Sequence, residues 1–259
     1  MKKKEVIDHI VNWLKTYADR SATKGFVIGI SGGIDSAVTS TLCALTGKKV
    51  IVLNLPIRQH KFEFDRSAEH INWLKANFKN VEADTVELSD VFKGFERDLP
   101  EGIQDFLTMA NVRSRIRMIT LYAFASHHKL LVAGTGNKIE DFGVGFFTKY
   151  GDGGVDISPI ADLTKTEVFA LADELKIVES IQTAKPTDGL FADNRTDEDQ
   201  IGASYPELEW AMDYLNNGKD HTLNDREKEV LGIYIARHNA NKHKMDPIPV
   251  CLIPKELKQ

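Results

Sequence analysis

The sequence predicts an α/β fold in which a doubly wound, mostly parallel sheet carries helices on both faces. Three observations lead to this prediction: strand-like segments alternate with helix-like segments, the strand-like segments are continuously apolar, and a glycine-rich turn follows the first of them. A strand that is apolar along its whole length is buried on both faces, which is typical of a parallel sheet covered by helices. The segments that follow the sheet predict a C-terminal helical extension.

The chain begins with a segment that predicts an amphipathic surface helix. In MKKKEVIDHIVNWLKTYA the apolar residues that fall at helical spacing are Val6, Ile10, Trp13, Leu14 and Tyr17. Lysines open the segment, as in a signal peptide, but polar residues interrupt the apolar stretch and there is no small-residue cleavage site.

The strands and helices of the predicted sheet follow in order. The predicted strands are GFVIGI, KKVIVLNLP, VEADTVEL and KLLVAGTG. The predicted helices between them cover residues 35–46, about 65–76 and about 104–127. Gly47 stands just past the end of the first helix, as a helix-ending glycine does.

Two later helices are predicted from their first turns. Thr164 with Glu167, and Ser204 with Glu207, have the spacing of capping boxes that precede apolar periodic runs. Between them, residues 183–205 lack apolar periodicity, which is typical of a functional lid or a disordered segment.

Composition and charge exclude several classes of protein. The chain has 259 residues, a formal net charge of −5 and no apolar run near the roughly 20 residues that span a bilayer. The negative charge argues against a protein that coats nucleic acid. Cys43 and Cys251 form no CxxC pair and no zinc spacing, which suits a reducing cytoplasm. We therefore expect residues 1–259 to form a single cytoplasmic domain, without nucleic-acid or membrane partners.

The segment SGGIDS, residues 31–36, joins the first predicted strand to a helix and predicts a phosphate-binding loop. Backbone N–H groups and the positive end of the helix dipole converge at such a junction. The loop has neither the lysine of a Walker motif nor the spacing of a dinucleotide fingerprint. Because Asp35 would repel phosphate, its expected role is to bind a divalent cation. The alternative is a structural turn in which the helix dipole favours Asp35.

Two later residues are expected at the same site. The fourth predicted strand ends in Gly-Thr-Gly, and Glu140 follows closely enough to share a cation with Asp35. Lys165 lies in the first turn of a helix, where its charge opposes the dipole, and a phosphate partner would remove this conflict. The alternative is an exposed lysine that points away at small cost.

Arg115 is a further candidate, on the long helix. A helical wheel places it within an apolar stripe formed by Val112, Ile116, Met118, Ile119 and Tyr122, with Arg113 and Arg117 to one side. A guanidinium there needs an anionic partner or an escape to the edge of the stripe. Such a stripe also suits a contact between subunits.

These segments resemble known families. SGGIDS is similar to the pyrophosphatase loop of the N-type ATP pyrophosphatases, which cleave ATP between the α and β phosphates. From about residue 5 to 254 the chain resembles the ammonia-dependent NAD synthetases, through motifs in family order. These motifs are GTGNKIE, GFFTKYGDGGVD, PIADLTK, KPT and HK. The count from Glu140 to Lys149 is about one residue longer than in some relatives.

The resemblance implies an adenine nucleotide α-hydrolase-like, Rossmann-like fold and the ATP-dependent amidation of deamido-NAD to NAD. Ammonia is the implied nitrogen donor, because the chain leaves no room for a glutaminase domain. The reaction would pass through an adenylated intermediate and release AMP and pyrophosphate, without a side-chain nucleophile. A homodimer is also implied, with the dinucleotide site near the subunit interface.

The resemblance also implies roles for individual residues. Asp35 and Glu140 would hold Mg²⁺, and Asp35 and Lys165 would support the transition state. The implied ATP contacts are Gly29, Ile30, Ser31, Gly32, Gly33, Ile34, Asp35, Ser36, Thr135, Lys165 and Thr187. The implied deamido-NAD contacts are Arg115, Lys149, Asp156, His243 and Lys244.

Two alternatives remain open on sequence. One is another pyrophosphatase-loop enzyme, such as a GMP synthetase ATPase module or a tRNA thiolase, although a thiolase would need catalytic cysteines and a basic RNA surface. The other is a non-catalytic regulator that binds an adenine nucleotide on the same fold. The pairing of Asp35 with Glu140 argues against a regulator, because nucleotide binding alone does not require a metal site with two carboxylates.

Overall fold

A computed structural model describes residues 1–59, 61–186, 196–218 and 222–258. In this part of the chain four parallel strands form one sheet in the order β3-β2-β1-β4. The strands are β1 (Gly25–Gly29), β2 (Lys49–Asn54), β3 (Val81–Thr85) and β4 (Leu131–Val132). In the register, Phe26 of β1 lies opposite Val50 on one side and Leu131 on the other.

The strand order creates a topological switch point. The chain runs outward from β1 to β3 and then returns to place β4 on the other side of β1. In open parallel sheets, ligands bind where the carboxyl ends of two such strands diverge. The junction between β1 and β4 is therefore where the fold places a ligand site.

Helices cover both faces of the sheet. They are α1 (Lys3–Arg20), α2 (Ile34–Leu45), α3 (Lys61–Asn77), α4 (Ser89–Asp98), α5 (Phe106–His128), α6 (Lys165–Glu174), α7 (Glu179–Gln182), α8 (Asp197–Ile201), α9 (Tyr205–Asn217) and α10 (Asp225–Met245). Phe26 and Ile28 pack into one core with α1, α2 and α6, whereas Val27 packs into a second core with α4 and α5. Because alternate residues of β1 enter opposite cores, the predicted doubly wound sheet is confirmed.

The helix predictions hold with local differences. The capping boxes of Thr164–Glu167 and Ser204–Glu207 are both present, at the starts of α6 and α9. In α1, Ile10 and Leu14 are buried as the periodicity predicts, but Trp13 is 40% exposed, at the edge of the buried face. The sequence did not predict α4. None of the described helices is both long and apolar enough to cross a membrane.

One segment departs from regular α-helix at a place that matters for the site. Residues Ile139–Val144 form a π-helix, which ends at Gly145 with a φ of +63°. A π-turn accommodates one extra residue within a helical course.

The last two long helices form the C-terminal extension. Leu208 of α9 and Tyr234 of α10 pack against Ile139 and Val144 of the π-helix in a third apolar core. The extension therefore supports the segment that carries Glu140.

Candidate active site

A cavity of about 680 Å³ opens at the carboxyl ends of β1 and β4. Its lining combines segments that are distant in sequence: residues 29–35, Thr135, Glu140, Lys165, Lys185, His243 and Lys244. The fold thus joins the glycine loop, the turn after β4, the start of α6 and the end of α10 around one space. This is the position that the strand order favours for a ligand.

The glycine loop has the backbone geometry of a tight phosphate loop. Gly32 adopts a φ of +85°, and a Cβ there would lie 2.8 Å from the backbone oxygen of Glu63. Ser31 Oγ accepts from the Gly33 N–H at 3.1 Å and lies 3.1 Å from Ser36 Oγ. The two serines hold the loop in shape by hydrogen-bonding within it, and their predicted contacts with ATP stay predictions.

Asp35, Glu140 and Lys165 meet beside the loop. Lys165 Nζ donates to Asp35 Oδ2 at 2.5 Å and to Glu140 Oε1 at 3.0 Å. The lysine side chain is 4% exposed and each carboxylate side chain is 16% exposed. The exposed-lysine alternative is therefore wrong. The sequence also did not foresee that the lysine's partners would be these two carboxylates.

The charges of this cluster depend on one another. Burial opposes the charged form of Lys165, but Asp35 and Glu140 together outweigh it and raise the lysine pKa. Burial likewise opposes the charge on Glu140, yet Lys165 and a hydrogen bond from Tyr205 lower the pKa of that carboxyl. At Asp35 burial dominates, and with the neighbouring Glu140 it raises the pKa.

Two uncharged side chains complete the cluster, and neither was predicted as a site residue. Asn137 is fully buried and donates to Asp35 Oδ1 at 3.3 Å, while its Oδ1 accepts from the Glu140 N–H at 3.1 Å. Tyr205 donates from its hydroxyl to Glu140 Oε1 at 2.5 Å, and its ring centroid lies 4.8 Å from Lys165 Nζ. Asn137 falls within the GTGNKIE motif, which could have identified it, whereas Tyr205 is 65 residues from Glu140.

The donor set at Asp35 and Glu140 fits Mg²⁺. Two partly buried carboxylates face one lysine, and Asp197 adds a third negative charge that acts on Lys165. Carboxylate oxygens are the ligands Mg²⁺ prefers, and Mg²⁺ is usually held by one or two carboxylates together with substrate phosphates. The described residues contain no group of three or more histidine, cysteine, aspartate or glutamate side chains that could hold a metal ion.

The residues expected to bind deamido-NAD include two lysines that donate to backbone carbonyls. Lys244 Nζ donates to Phe147 O at 2.7 Å, and Lys149 Nζ donates to His243 O at 2.6 Å. His243 and Lys244 line the cavity, whereas Lys149 does not. These side chains use backbone carbonyls as acceptors, so their positive charges remain available to an anion.

Asp156 and Thr187 are the last two of the predicted residues. Asp156 accepts from the Val132 N–H at 2.8 Å and from the Tyr122 hydroxyl at 3.0 Å, so it ties down the edge of β4 outside the cavity lining. Thr187 lies outside the described residues. The expected contacts of both with substrates stay predictions.

The helical wheel of α5 was wrong about which arginine is buried. Arg115 is exposed and donates to Lys149 O at 3.2 Å, and Ile119 of the expected stripe is 59% exposed. Arg117 instead lines the cavity and donates to Leu55 O at 3.0 Å. Burial, assisted by the like charge of Arg113, lowers the pKa of Arg117 to about 10.

Comparison with known proteins decides the family. A family model described as NAD synthase matches residues 6–247. The chain belongs to the NAD synthase family. It is 37% identical over 242 residues to an NH₃-dependent NAD⁺ synthetase of Mycoplasma genitalium, covering 92% of each chain. It is also 36% identical over 248 residues to an NH₃-dependent NAD⁺ synthetase of Methanosarcina mazei, covering 94% of this chain and 96% of the relative.

A solved structure supports the fold. The structure of an NMN synthetase from Francisella tularensis superimposes with a TM-score of 0.85 at 32% identity. The match covers 98% of this chain and 99% of that chain. The parallel sheet and its helices are therefore shared with this solved structure over nearly the whole chain.

Proposed function

We propose that this protein catalyses the ATP-dependent amidation of deamido-NAD to NAD, with ammonia as nitrogen donor. The observation that carries the proposal is the meeting of Asp35, Glu140 and Lys165 beside the glycine loop, in a chain of the NAD synthase family. Two relatives that match over nearly their whole length are NH₃-dependent NAD⁺ synthetases, which supports ammonia as the nitrogen donor. The protein is thus a ligase that forms a C–N bond.

The reaction proceeds in two steps, because a carboxylate is a poor electrophile. First, a nicotinate oxygen attacks the α-phosphorus of ATP, and pyrophosphate leaves with the electron pair of the broken Pα–O bond. Ammonia then attacks the acyl carbon, AMP leaves with the electron pair of the C–O bond, and nitrogen loses a proton. No side chain becomes covalently attached, so the protein contributes binding, orientation and charge stabilisation.

Each part of the site has a defined task in this scheme. The loop N–H groups and the N-terminus of α2 bind phosphate oxygens, and Gly32 lets the backbone come close. Asp35 and Glu140 would hold Mg²⁺, which when bound neutralises charge on the phosphates. Lys165 stays an ammonium at neutral pH, since the two carboxylates raise its pKa, and supplies positive charge for the departing pyrophosphate.

A second candidate substrate follows from the structural comparison. The Francisella tularensis protein, an NMN synthetase, matches this chain over nearly its full length. The same chemistry on this chain would then amidate nicotinate mononucleotide, which has the same carboxylate but no second nucleotide. Arg115, Lys149 and Lys244 favour the dinucleotide, because three cations suit the two phosphates of deamido-NAD better than the single phosphate of the mononucleotide.

Parallel assays test the substrate and the nitrogen donor. Purified protein with Mg-ATP is given deamido-NAD or nicotinate mononucleotide, each with ammonium or glutamine, and NAD, NMN and pyrophosphate are measured. We expect NAD and pyrophosphate with deamido-NAD and ammonium. Absence of NAD with ammonium contradicts the proposed activity, NMN alone selects the second candidate, and turnover with glutamine alone contradicts the donor.

The protein is also proposed to act as a cytoplasmic homodimer. On α5 the side chains of Leu107 and Ile119 are 66% and 59% exposed, which supports a subunit contact along this helix. Cys43 and Cys251 are both free thiols, which supports a reducing compartment. Light scattering after gel filtration tests the dimer, and a monomer at all concentrations would contradict it.

A further inference from the structure

Tyr205 contacts both charged partners of the cation site. Its side chain is almost fully buried, with the residue 3% exposed, at the first position of α9. Its hydroxyl donates to Glu140 Oε1 at 2.5 Å, and its ring centroid lies 4.8 Å from Lys165 Nζ. One rigid side chain therefore meets an expected metal ligand with its polar end and the neighbouring cation with its ring face.

We propose that Tyr205 is a positioning residue of the active site: its hydroxyl holds Glu140 in the orientation that binds the divalent cation, and its ring guides Lys165. The proposal rests on the proposed function, because it assigns Glu140 to the cation of that reaction. Tyr205 is not among the residues that line the cavity, and it acts through the two residues it orients.

The hydroxyl contact has the character of a strong hydrogen bond. A distance of 2.5 Å falls at the short end of charge-assisted O–H···O⁻ bonds. A phenol keeps its proton at neutral pH, so the Tyr205 hydroxyl is a donor to the carboxylate. Asp197 Oδ2 is the more distant acceptor, at 3.4 Å, so Glu140 is the main partner.

The position of Tyr205 is fixed from several sides. Its N–H donates to Glu198 Oε1 at 2.8 Å, and the preceding Ser204 forms the capping box with Glu207. Arg226 donates to both oxygens of Glu207, at 2.7 and 2.9 Å, and so braces the cap. A side chain that orients another group must itself be held, and Tyr205 meets this requirement.

A shared oxygen explains why two donors are useful. Glu140 Oε1 accepts from both Lys165 and Tyr205. Lys165 has a long, flexible stem and is expected to contact pyrophosphate during the reaction. When the lysine leaves, the tyrosine hydroxyl still fixes the carboxylate. Partners of this kind, which orient a metal-binding carboxylate, typically affect metal affinity about 10- to 100-fold.

The test replaces the hydroxyl and keeps the ring. Mn²⁺ binding to Tyr205→Phe is measured by electron paramagnetic resonance with α,β-methylene-ATP, which cannot be cleaved between its α and β phosphates. We expect Mn²⁺ affinity to fall about 10-fold relative to the wild type. Calorimetric affinity for the analogue in EDTA is expected to remain within about twofold. In steady-state assays the apparent KM for Mg²⁺ should rise by a larger factor than kcat falls.

Tyr234→Phe is the matched control. Tyr234 lies in the same apolar core and is 5% exposed, but its ring stacks on His238, away from the contacts that Tyr205 makes with Glu140 and Lys165. Its replacement should leave Mn²⁺ affinity unchanged. Unchanged Mn²⁺ affinity in Tyr205→Phe, or an equal loss in Tyr234→Phe, would overturn the proposal.

A double-mutant cycle tests whether Tyr205 acts through Glu140, even if Tyr205→Phe loses some stability. In a Glu140→Gln background, adding Tyr205→Phe should change Mn²⁺ affinity less than about twofold, because the oriented carboxylate is already gone. A full additional 10-fold loss would contradict the proposed route. NAD formation by the wild type, measured on the same preparation, separately reports whether the proposed function itself holds.

Discussion

The two sides of the cavity are built differently. On the nucleotide side, Lys165 and its two carboxylates are buried and bonded to one another. Among the residues expected to bind deamido-NAD, which form the second side, Lys149 and Lys244 donate to backbone carbonyls and Arg115 lies exposed on α5; of these three only Lys244 lines the cavity. The first side is thus preassembled within one chain. The second side offers positive charge whose anionic partner must come from the substrate.

This difference predicts where substitutions will act. A change on the nucleotide side disturbs a network in which each group fixes the next, so its effect on turnover should be large. A change on the other side removes one charged contact, so it should weaken binding of one substrate and leave the rest of the site intact.

The largest effect is expected from Asp35→Asn. Loss of this charge removes one of two carboxylates expected to hold Mg²⁺ and should lower kcat about 1,000-fold. Lys165 keeps Glu140 as a partner, so the fold should survive with a modest fall in Tm. Asp162→Asn is the control, since Asp162 is a fully exposed carboxylate paired with Lys138, and both turnover and Tm should stay unchanged. A largely unfolded Asp35→Asn variant would instead favour a structural role for Asp35.

Gly32→Ala should come next. The φ of +85° and the close approach to Glu63 O leave no room for a Cβ, so the loop must shift. We expect a loss of about 1–3 kcal/mol in stability, together with weaker ATP binding measured by calorimetry. Gly94→Ala in α4 is the matched control, because a Cβ at this position would meet no atom within 4 Å, and the change should be neutral or slightly stabilising. Equal behaviour of the two variants would contradict the tight-loop geometry.

Arg115→Met tests the residues expected to bind deamido-NAD. Loss of one charged hydrogen bond to the dinucleotide should raise KM for deamido-NAD about 10-fold, with KM for ATP unchanged. Arg97→Met serves as the control, because Arg97 is exposed, pairs with its neighbour Asp98 and does not line the cavity. Neither KM should change in this variant. A rise in KM for ATP alone would show that the two sides are not separable in this way.

The smallest effect is expected from Ser36→Ala. It removes the hydroxyl that donates to Gly33 O at 2.9 Å and contacts Ser31, and a neutral hydrogen bond contributes about 1 kcal/mol. KM for ATP should therefore rise a few-fold, measured beside KM for deamido-NAD, which should not move. A 100-fold rise in KM for ATP would mean that Ser36 contacts ATP directly, in addition to holding the loop.

The same two-sided comparison shows what the sequence could predict. The glycine loop and the capping boxes depend on residues that are close in sequence, so their patterns can be predicted from the sequence alone. Asp35 and Glu140 follow two strands of one parallel sheet, and their meeting follows from that topology. The single-domain organisation stays a prediction.

Other features depend on contacts that no local pattern encodes. Tyr205 reaches Glu140 only because α9 packs on the π-helix. The ion pair of Lys165 with Asp35 joins two residues that are 130 positions apart in the sequence. The helical wheel of α5 placed Arg115 within an apolar stripe, but Arg115 is exposed. The helix has apolar residues on more than one side, since Ile116 is buried and Ile119 is exposed. Which side is buried is decided by the neighbouring elements.

An isotope measurement tests the central claim most directly. Deamido-NAD labelled with ¹⁸O in both carboxylate oxygens is converted with ATP and ammonium, and the products are analysed by mass spectrometry. If the carboxylate attacks the α-phosphorus, AMP carries one ¹⁸O from the labelled carboxylate and pyrophosphate carries none. Label in pyrophosphate, or AMP without label, would contradict an adenylated intermediate at the loop that carries Asp35.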